Sequence, residues 1–297
     1  MAKFTRQMTV GQFEAMFPDD AACMAYLVKR RWPDGVVCPR CGSADRVFPL
    51  KTMPFKWECM ACGKSTSYRF SALVGTCFQN TNIGLRDWFR VIHMMLTAKK
   101  GVAALEVMRV LGFGSYKTAH SMCMRIRLGF VNPEFRKLMG IVEVDETFVG
   151  GKNKNRHAAK RIEGRGTTGK ETVVGAASRQ GDVIARVLKG TDSGTLQGFV
   201  REAVSTKVDL LATDEYRGYW GLTDYPHAFV RHSAGEYVVG AVHTQTIEGF
   251  WSLIKRGIMG TFHKVSAKYL PLYVAEFEFR YNNRKNQDIF GAAIARC

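Results

Sequence analysis

141-IVEVDETFVGG-151 alternates apolar with acidic residues and then stops at two glycines. Ile141, Glu143 and Asp145 fall on one side of an extended chain, Val142 and Val144 on the other, so a half-buried strand is predicted. Adjacent carboxylates at Asp145 and Glu146 are costly on such a strand unless they are paired, hydrated or given to a metal. Further acids extend the pattern. Asp214 closes a second apolar run, 208-VDLLATD-214, and Glu248 lies in 243-HTQTIEGFWSLIKRG-257, which reads as a helix. Asp145, Asp214 and Glu248 together form a carboxylate triad suited to two divalent cations. Hard oxygen donors favour Mg2+ or Mn2+ over zinc at this site.

Outward from that strand come a basic glycine-rich loop (150–170), strands at 171–178 and 182–189, and a helix at 193–206. A strand at 208–213, a short helical segment at 215–222, a strand at 227–231 and the helix carrying Glu248 complete the series. This is the element order of the ribonuclease-H-like α/β fold, a mixed sheet with flanking helices. In that fold the first acid sits on the first strand, the second just after the fourth, and the third on a later helix. Lys255 falls two turns after Glu248 on the same helical face, where it can hold a phosphate of the scissile strand. Trp251 either stacks on a base or packs into the core. The final helix, 269-YLPLYVAEFEFRYNNRKN-286, buries Leu270, Tyr273, Val274 and Phe277 and leaves Arg280 and Arg284 for DNA. The charged run 152–166 either clamps the strand or is solvated. His232 and His243 either orient a water or make structural hydrogen bonds.

Toward the N-terminus, Cys38-Pro-Arg-Cys41 and Cys59-Met-Ala-Cys62 flank a hairpin-length stretch. Two C-x-x-C pairs at this separation suit one tetrahedral, structural Zn2+, since four thiolates leave no open position. Arg40, Arg46, Lys51, Lys56 and Lys64 decorate this zinc ribbon. Two short helices precede it within 8–31, with Asp19 and Asp20 able to cap the second. After it, Leu85, Trp88, Phe89, Ile92 and Leu96 mark an amphipathic helix over 83–97. Residues 101–130 then read as helix, glycine turn (Gly112–Gly114) and helix, a helix-turn-helix whose second member offers Lys117, Arg125 and Arg127 to phosphate. The expected parts are N-terminal helices (1–36), a zinc ribbon (37–70), a helix-turn-helix region (71–138) and the catalytic domain (139–297).

Charge supports a nucleic-acid partner. The 297 residues carry 43 Lys and Arg against 26 Asp and Glu, a net charge of +17. That excess implies an anionic polymer, and it is densest per residue between 71 and 140. No apolar run approaches the roughly 18 residues of a membrane helix, and the N-terminus lacks a signal-peptide core. A cytoplasmic, nucleoid-associated protein with reduced cysteines and no membrane partner is expected.

The cysteine pairs, 145-DETFVGG-151, 213-TDEYRGY-219, 243-HTQTIEGFWSLIKRG-257 and 276-EFEFRYNNR-284 together resemble the bacterial insertion-sequence transposases of the IS-fifteen-ninety-five group. The resemblance spans nearly the whole chain. It implies a zinc-binding domain followed by an Asp-Asp-Glu transposase domain, which cuts and joins DNA at terminal inverted repeats. It also implies that Asp145 and Asp214 hold metal. Members of that group carry HTNTIEGFWS, whose Asn has been counted as the third ligand. Gln245 stands in that slot here, so Glu248 takes the role. A homo-oligomer on DNA is expected. A zinc-containing transcription regulator would have no use for the three acids, and a ribonuclease-H-like nuclease would not need the DNA-binding half.

Overall fold

Helices and strands alternate between two compact units, which a computed structural model describes at residues 7–62, 67–132, 134–151, 155, 157, 159, 167–179, 181–230 and 243–297. Lys64, His232 and most of the run 152–166 lie outside the described residues. The helices are α1 (Val10–Met16), α2 (Asp20–Arg31), α3 (Leu85–Thr97), α4 (Ala104–Leu111), α5 (Tyr116–Phe130), α6 (Ser193–Ala203), α7 (Gln245–Gly257), α8 (Leu270–Asn282) and α9 (Ile289–Arg296). The strands are β1 (Val47–Pro49), β2 (Lys56–Cys59), β3 (Tyr68–Ser71), β4 (Ile141–Val149), β5 (Glu171–Ser178), β6 (Val183–Leu188), β7 (Leu210–Asp214) and β8 (His227–Val230). Among the described residues no helix is long and apolar enough to cross a membrane.

One unit comprises residues 1–130 and 285–297. Thr9 and Gln12 form a reciprocal capping box on α1, and Asp19 accepts from the Ala22 N–H at 2.8 Å to start α2. β1, β2 and β3 pair antiparallel in sequence order. α4 ends at Gly112, whose φ of +68° lies in the left-handed region where a side chain is strained. α5 buries Ala119, Met122, Cys123 and Ile126, as the helical spacing anticipates. α9 is the surprise. Its Phe290 ring lies 5.4 Å from Phe17, 5.6 Å from Phe89 and 6.2 Å from Phe13. The last helix thus completes the aromatic core of the N-terminal unit, although the sequence reading assigned everything from 139 onward to the catalytic domain.

The second unit, 131–284, is built on a five-stranded sheet of order β6-β5-β4-β7-β8. β5 runs antiparallel to both of its neighbours, β4 and β6, while β7 runs parallel to both β4 and β8. This is the ribonuclease-H-like arrangement expected from the element order. On one face Val142, Val144, Val174 and Ala176 pack against Leu196, Phe199 and Val200 of α6. On the other, Val173, Ala177 and Val183 meet Ile247, Phe250, Trp251 and Ile254 of α7, and Leu270, Val274 and Phe277 of α8. Each of the buried Val, Leu, Ile and Phe side chains here contributes about 1.5–3 kcal/mol relative to exposure.

The edge strand β6 is closed off by α8. Asn282 exchanges two hydrogen bonds with the Val183 backbone, both 2.8 Å, and Glu278 accepts from the Ala185 N–H at 3.0 Å. Side chains therefore satisfy strand groups that would otherwise template pairing with another chain. This gives 276-EFEFRYNNR-284 a structural use.

Candidate active site

β4 sorts its acids by the two-residue period of a strand. Val142, Val144 and Glu146 lie on the α6 face; Glu143 and Asp145 lie on the α7 face. Residues 141–143 of β4 pair in parallel register with 210–212 of β7. Continued two residues along, that register brings Asp145 beside Asp214, at the end of β7. Asp214 is held by the Tyr216 N–H, 3.0 Å from its Oδ1. Glu146 accepts from the Tyr219 hydroxyl at 2.7 Å.

The electrostatics reflect this crowding. Burial, then the charges of Glu146 and Asp214, push Asp145 up to about 7, while its own hydrogen bonds act the other way. Glu146 is also raised, first by burial and next, against the hydrogen bond from Tyr219, by Asp214. Burial and the adjacent Glu146 carboxylate push the Tyr219 phenol well above its ordinary range, so it serves as a neutral donor. Carboxylates that raise one another in this way fit a divalent cation, which relieves their repulsion.

α7 is fixed to the sheet by a residue that the sequence reading passed over. Thr244, at the N-cap position, makes no side-chain cap to α7. Instead the fully buried Glu143 carboxylate accepts from the N–H groups of Thr246 (2.6 Å) and Ile247 (3.1 Å) and from the Thr246 hydroxyl (3.0 Å). Arg179 Nε donates to it at 2.8 Å, and His243 Nδ1 lies 3.2 Å away. A strand carboxylate thus caps the helix that carries Glu248. One turn further on, the Trp251 indole N–H donates to Asp145 Oδ2 at 3.0 Å. The only hint in the sequence was an acid two residues before Asp145, hence on its face.

Glu248 is exposed in the first turn of α7, where its carboxylate accepts from the Thr244 hydroxyl at 2.8 Å. Gln245 and Lys255 are also exposed. The extended register and the charge of Asp214 felt at Asp145 put these two carboxylates near each other, whereas among the described residues Glu248 closes no metal-type cluster with them. Among the described residues, the metal-type group whose ligand atoms all lie within 4.8 Å of one another is Cys38, Cys41, Cys59 and Cys62.

Those four cysteines fit zinc closely. Their sulfurs approach at 3.5 Å (Cys38–Cys62) and 3.6 Å (Cys41–Cys59), near the about 3.8 Å edge of a tetrahedron with 2.3 Å Zn–S bonds. Burial raises the Cys38 thiol, but the Cys41 and Arg40 amides outweigh it and bring it down to about 7. Burial and shared sulfur hydrogen bonds push Cys62 up. This is the zinc-ribbon site.

The residues expected on DNA divide sharply. Lys117 is exposed on α5. Arg127 is 1% exposed and Trp251 3%, so neither reaches a phosphate or a base; for Trp251 the core alternative holds. Arg125 sits over the Trp88 ring at 5.0 Å and donates to the Gln79 carbonyl. Arg280 pairs with Glu276 at 3.5 Å. Arg284 donates to the carbonyls of Tyr281 (2.7 Å) and Gly181 (2.8 Å) and lies 4.1 Å from the Tyr281 ring. Helical spacing places a basic residue on a face but does not reveal what covers that face.

Comparison with known proteins agrees with both halves. The ISXO2-like transposase domain matches residues 137–282, and the transposase zinc-ribbon domain matches residues 18–65. The chain is similar to an uncharacterized protein in transposable element ISH50 of Halobacterium salinarum. The two are 28% identical over 274 residues, which span 86% of this chain and 88% of that protein. No solved structure matches the chain.

Proposed function

The chain belongs to the IS1595-type insertion-sequence transposases, and from that premise we propose that it cuts and joins DNA at the inverted repeats of its own element by metal-dependent phosphoryl transfer. The observation that supports this reading is the β4–β7 register, which continued two residues past its last pair would face Asp145 with Asp214, with α7 capped onto the same strand by Glu143.

Asp145, Asp214 and Glu248 would hold two Mg2+ or Mn2+ ions. Bound there, the metals supply Lewis acidity and charge neutralisation at the phosphate. The chain's own residues do the positioning. Trp251 fixes the Asp145 carboxylate, Glu143 fixes the start of α7, and Lys255, two turns after Glu248, contacts a phosphate oxygen of the scissile strand. In the first step water attacks the phosphodiester at the element's end, and the bond to a 3′ oxygen breaks to leave a 3′-hydroxyl. In the second, that hydroxyl loses its proton and attacks a target phosphodiester, which releases a target 3′-hydroxyl. Both are in-line displacements in which electrostatic stabilisation and alignment supply most of the acceleration.

Lys117 and its exposed neighbours on α5 contact the terminal repeats, and the protein works in the cytoplasm as a homo-oligomer assembled on DNA. The test uses purified protein and a labelled duplex that spans one end of the element with its flanking DNA. With Mg2+ or Mn2+ we expect a nick at the element boundary and, with target DNA present, a joined product. EDTA abolishes both. Absence of both products with either metal, from protein that still binds the end, would overturn the reading.

A further inference from the structure

Asp214 leads directly into a short turn that the reaction outlined above leaves unused. Tyr216 is 39% exposed and Trp220 52%. Of the five tryptophans, Trp88 and Trp251 are buried and Trp32 and Trp57 partly so. Trp220 stands out as a large apolar ring left facing solvent.

The backbone beneath these rings is closely packed. A Cβ on Gly218 would lie 2.6 Å from Leu196 Cδ1 and 2.7 Å from the Tyr216 ring, so the turn packs as closely as backbone allows. Tyr219 is fully buried and donates to Glu146. The Tyr216 hydroxyl lies 3.2 Å from the Thr191 carbonyl, and Gln197 Nε2 donates to the Trp220 carbonyl at 2.6 Å. Arg217, also exposed, holds its guanidinium 5.4 Å from the centre of the Trp220 ring. An exposed indole with a cation over one face, a few residues after Asp214, can offer its other face to the flat face of a base while the cation meets the adjoining phosphate.

We propose that Trp220, with Arg217, forms a stacking platform for an unpaired DNA base next to the scissile phosphate. The proposal rests on the phosphoryl-transfer reading, which brings a DNA strand to Asp214. It also returns to the chain the base-stacking tryptophan that buried Trp251 cannot be. A base is the occupant that the chemistry favours: the chain carries a net +17, and Arg217 offers charge to the adjoining phosphate.

The experiment uses the full chain and two probes of equal length at one salt concentration. One is a blunt duplex; the other carries a short single-stranded overhang that contains a fluorescent adenine analogue. Trp220→Ala should weaken the overhang probe about tenfold, within the range for loss of one base–aromatic stack, and leave the blunt duplex within about twofold. Trp220→Phe should retain most of the affinity. Wild type should quench the analogue and Trp220→Ala should not. Equal losses on both probes, or no loss on either, overturn the platform. So does a changed sedimentation state with unchanged overhang binding, which would make Trp220 a contact between copies. If wild type cleaves the end fragment while Trp220→Ala binds overhangs normally, only the platform fails. If wild type quenches the analogue yet never cleaves, the transposition chemistry fails instead.

Discussion

Replacing Glu143 by glutamine keeps the side chain's shape and removes the charge that joins α7 to β4. The carboxylate meets donors on most sides: two backbone N–H groups of α7, the Thr246 hydroxyl and Arg179 Nε, with His243 Nδ1 3.2 Å away. A glutamine offers one acceptor oxygen and turns its NH2 toward at least one of these donors. Charge-assisted hydrogen bonds contribute about 1.5–3 kcal/mol each, and breaking a buried ion pair costs about 3–5 kcal/mol. Glu143 is fully buried and the Arg179 side chain only 19% exposed, so solvent screening gives little relief. A loss of about 3–5 kcal/mol is expected. For a unit of this size 1 kcal/mol shifts the melting temperature by about 2–4 °C, so Tm should fall by roughly 10 °C. Differential scanning calorimetry of the full chain measures the drop, and amide hydrogen exchange should show faster exchange at Thr246 and Ile247. A Tm within about 2 °C of wild type, with both amides still protected, would refute the capping argument.

The remaining expectations concern the strand beneath the site, the zinc site and the response to pH. A Cβ at Gly175, opposite Asp145 in the β4–β5 register, would lie 2.6 Å from the Trp251 ring; Gly175→Val should cost about 1–3 kcal/mol or more and change Trp251 fluorescence, and a fully stable variant would contradict the packing. Elemental analysis should find about one zinc per chain, lost in Cys38→Ser and retained when Cys23, Cys77, Cys123 or Cys297 is replaced. Asp145 is raised to about 7 from an ordinary value of 3.8. Its contribution to the stability of the metal-free protein is therefore complete below about pH 4 and lost as pH rises through about 7, by about 4 kcal/mol at most. Urea titrations at a series of pH values should show this slope in metal-free wild type and not in Asp145→Asn; identical slopes would remove the assignment.

What the sequence made legible follows from periodicity and spacing. The alternation at 141–149 and the order of elements after it placed the sheet and two of its carboxylates, because a strand with one half-polar face leaves a two-residue signature. The cysteine pairs placed the zinc, because tetrahedral thiolate ligation needs that spacing. Features that depend on tertiary partners stayed hidden. Glu143 reads like any strand acid until α7 arrives over it, Arg127 reads as surface until neighbouring elements bury it, and the choice between base and core for Trp251 is made only by its packing. α9 is too short for its pattern to reveal that it packs with the first helices. The Glu278 and Asn282 caps on β6 are invisible for the same reason: the strand they close lies about a hundred residues earlier.

The central claim is that Asp145, Asp214 and Glu248 act together on a phosphodiester while DNA is held elsewhere. The most direct measurement is Mg2+-dependent cleavage of a labelled element end, run beside a gel shift, for Asp145→Asn, Asp214→Asn, Glu248→Gln and Gln245→Ala. The account predicts that the first three lose cleavage by orders of magnitude with end binding intact, and that Gln245→Ala loses far less. Intact cleavage by Asp145→Asn would contradict the account outright, and loss in Gln245→Ala with activity in Glu248→Gln would move the third ligand to the first residue of α7.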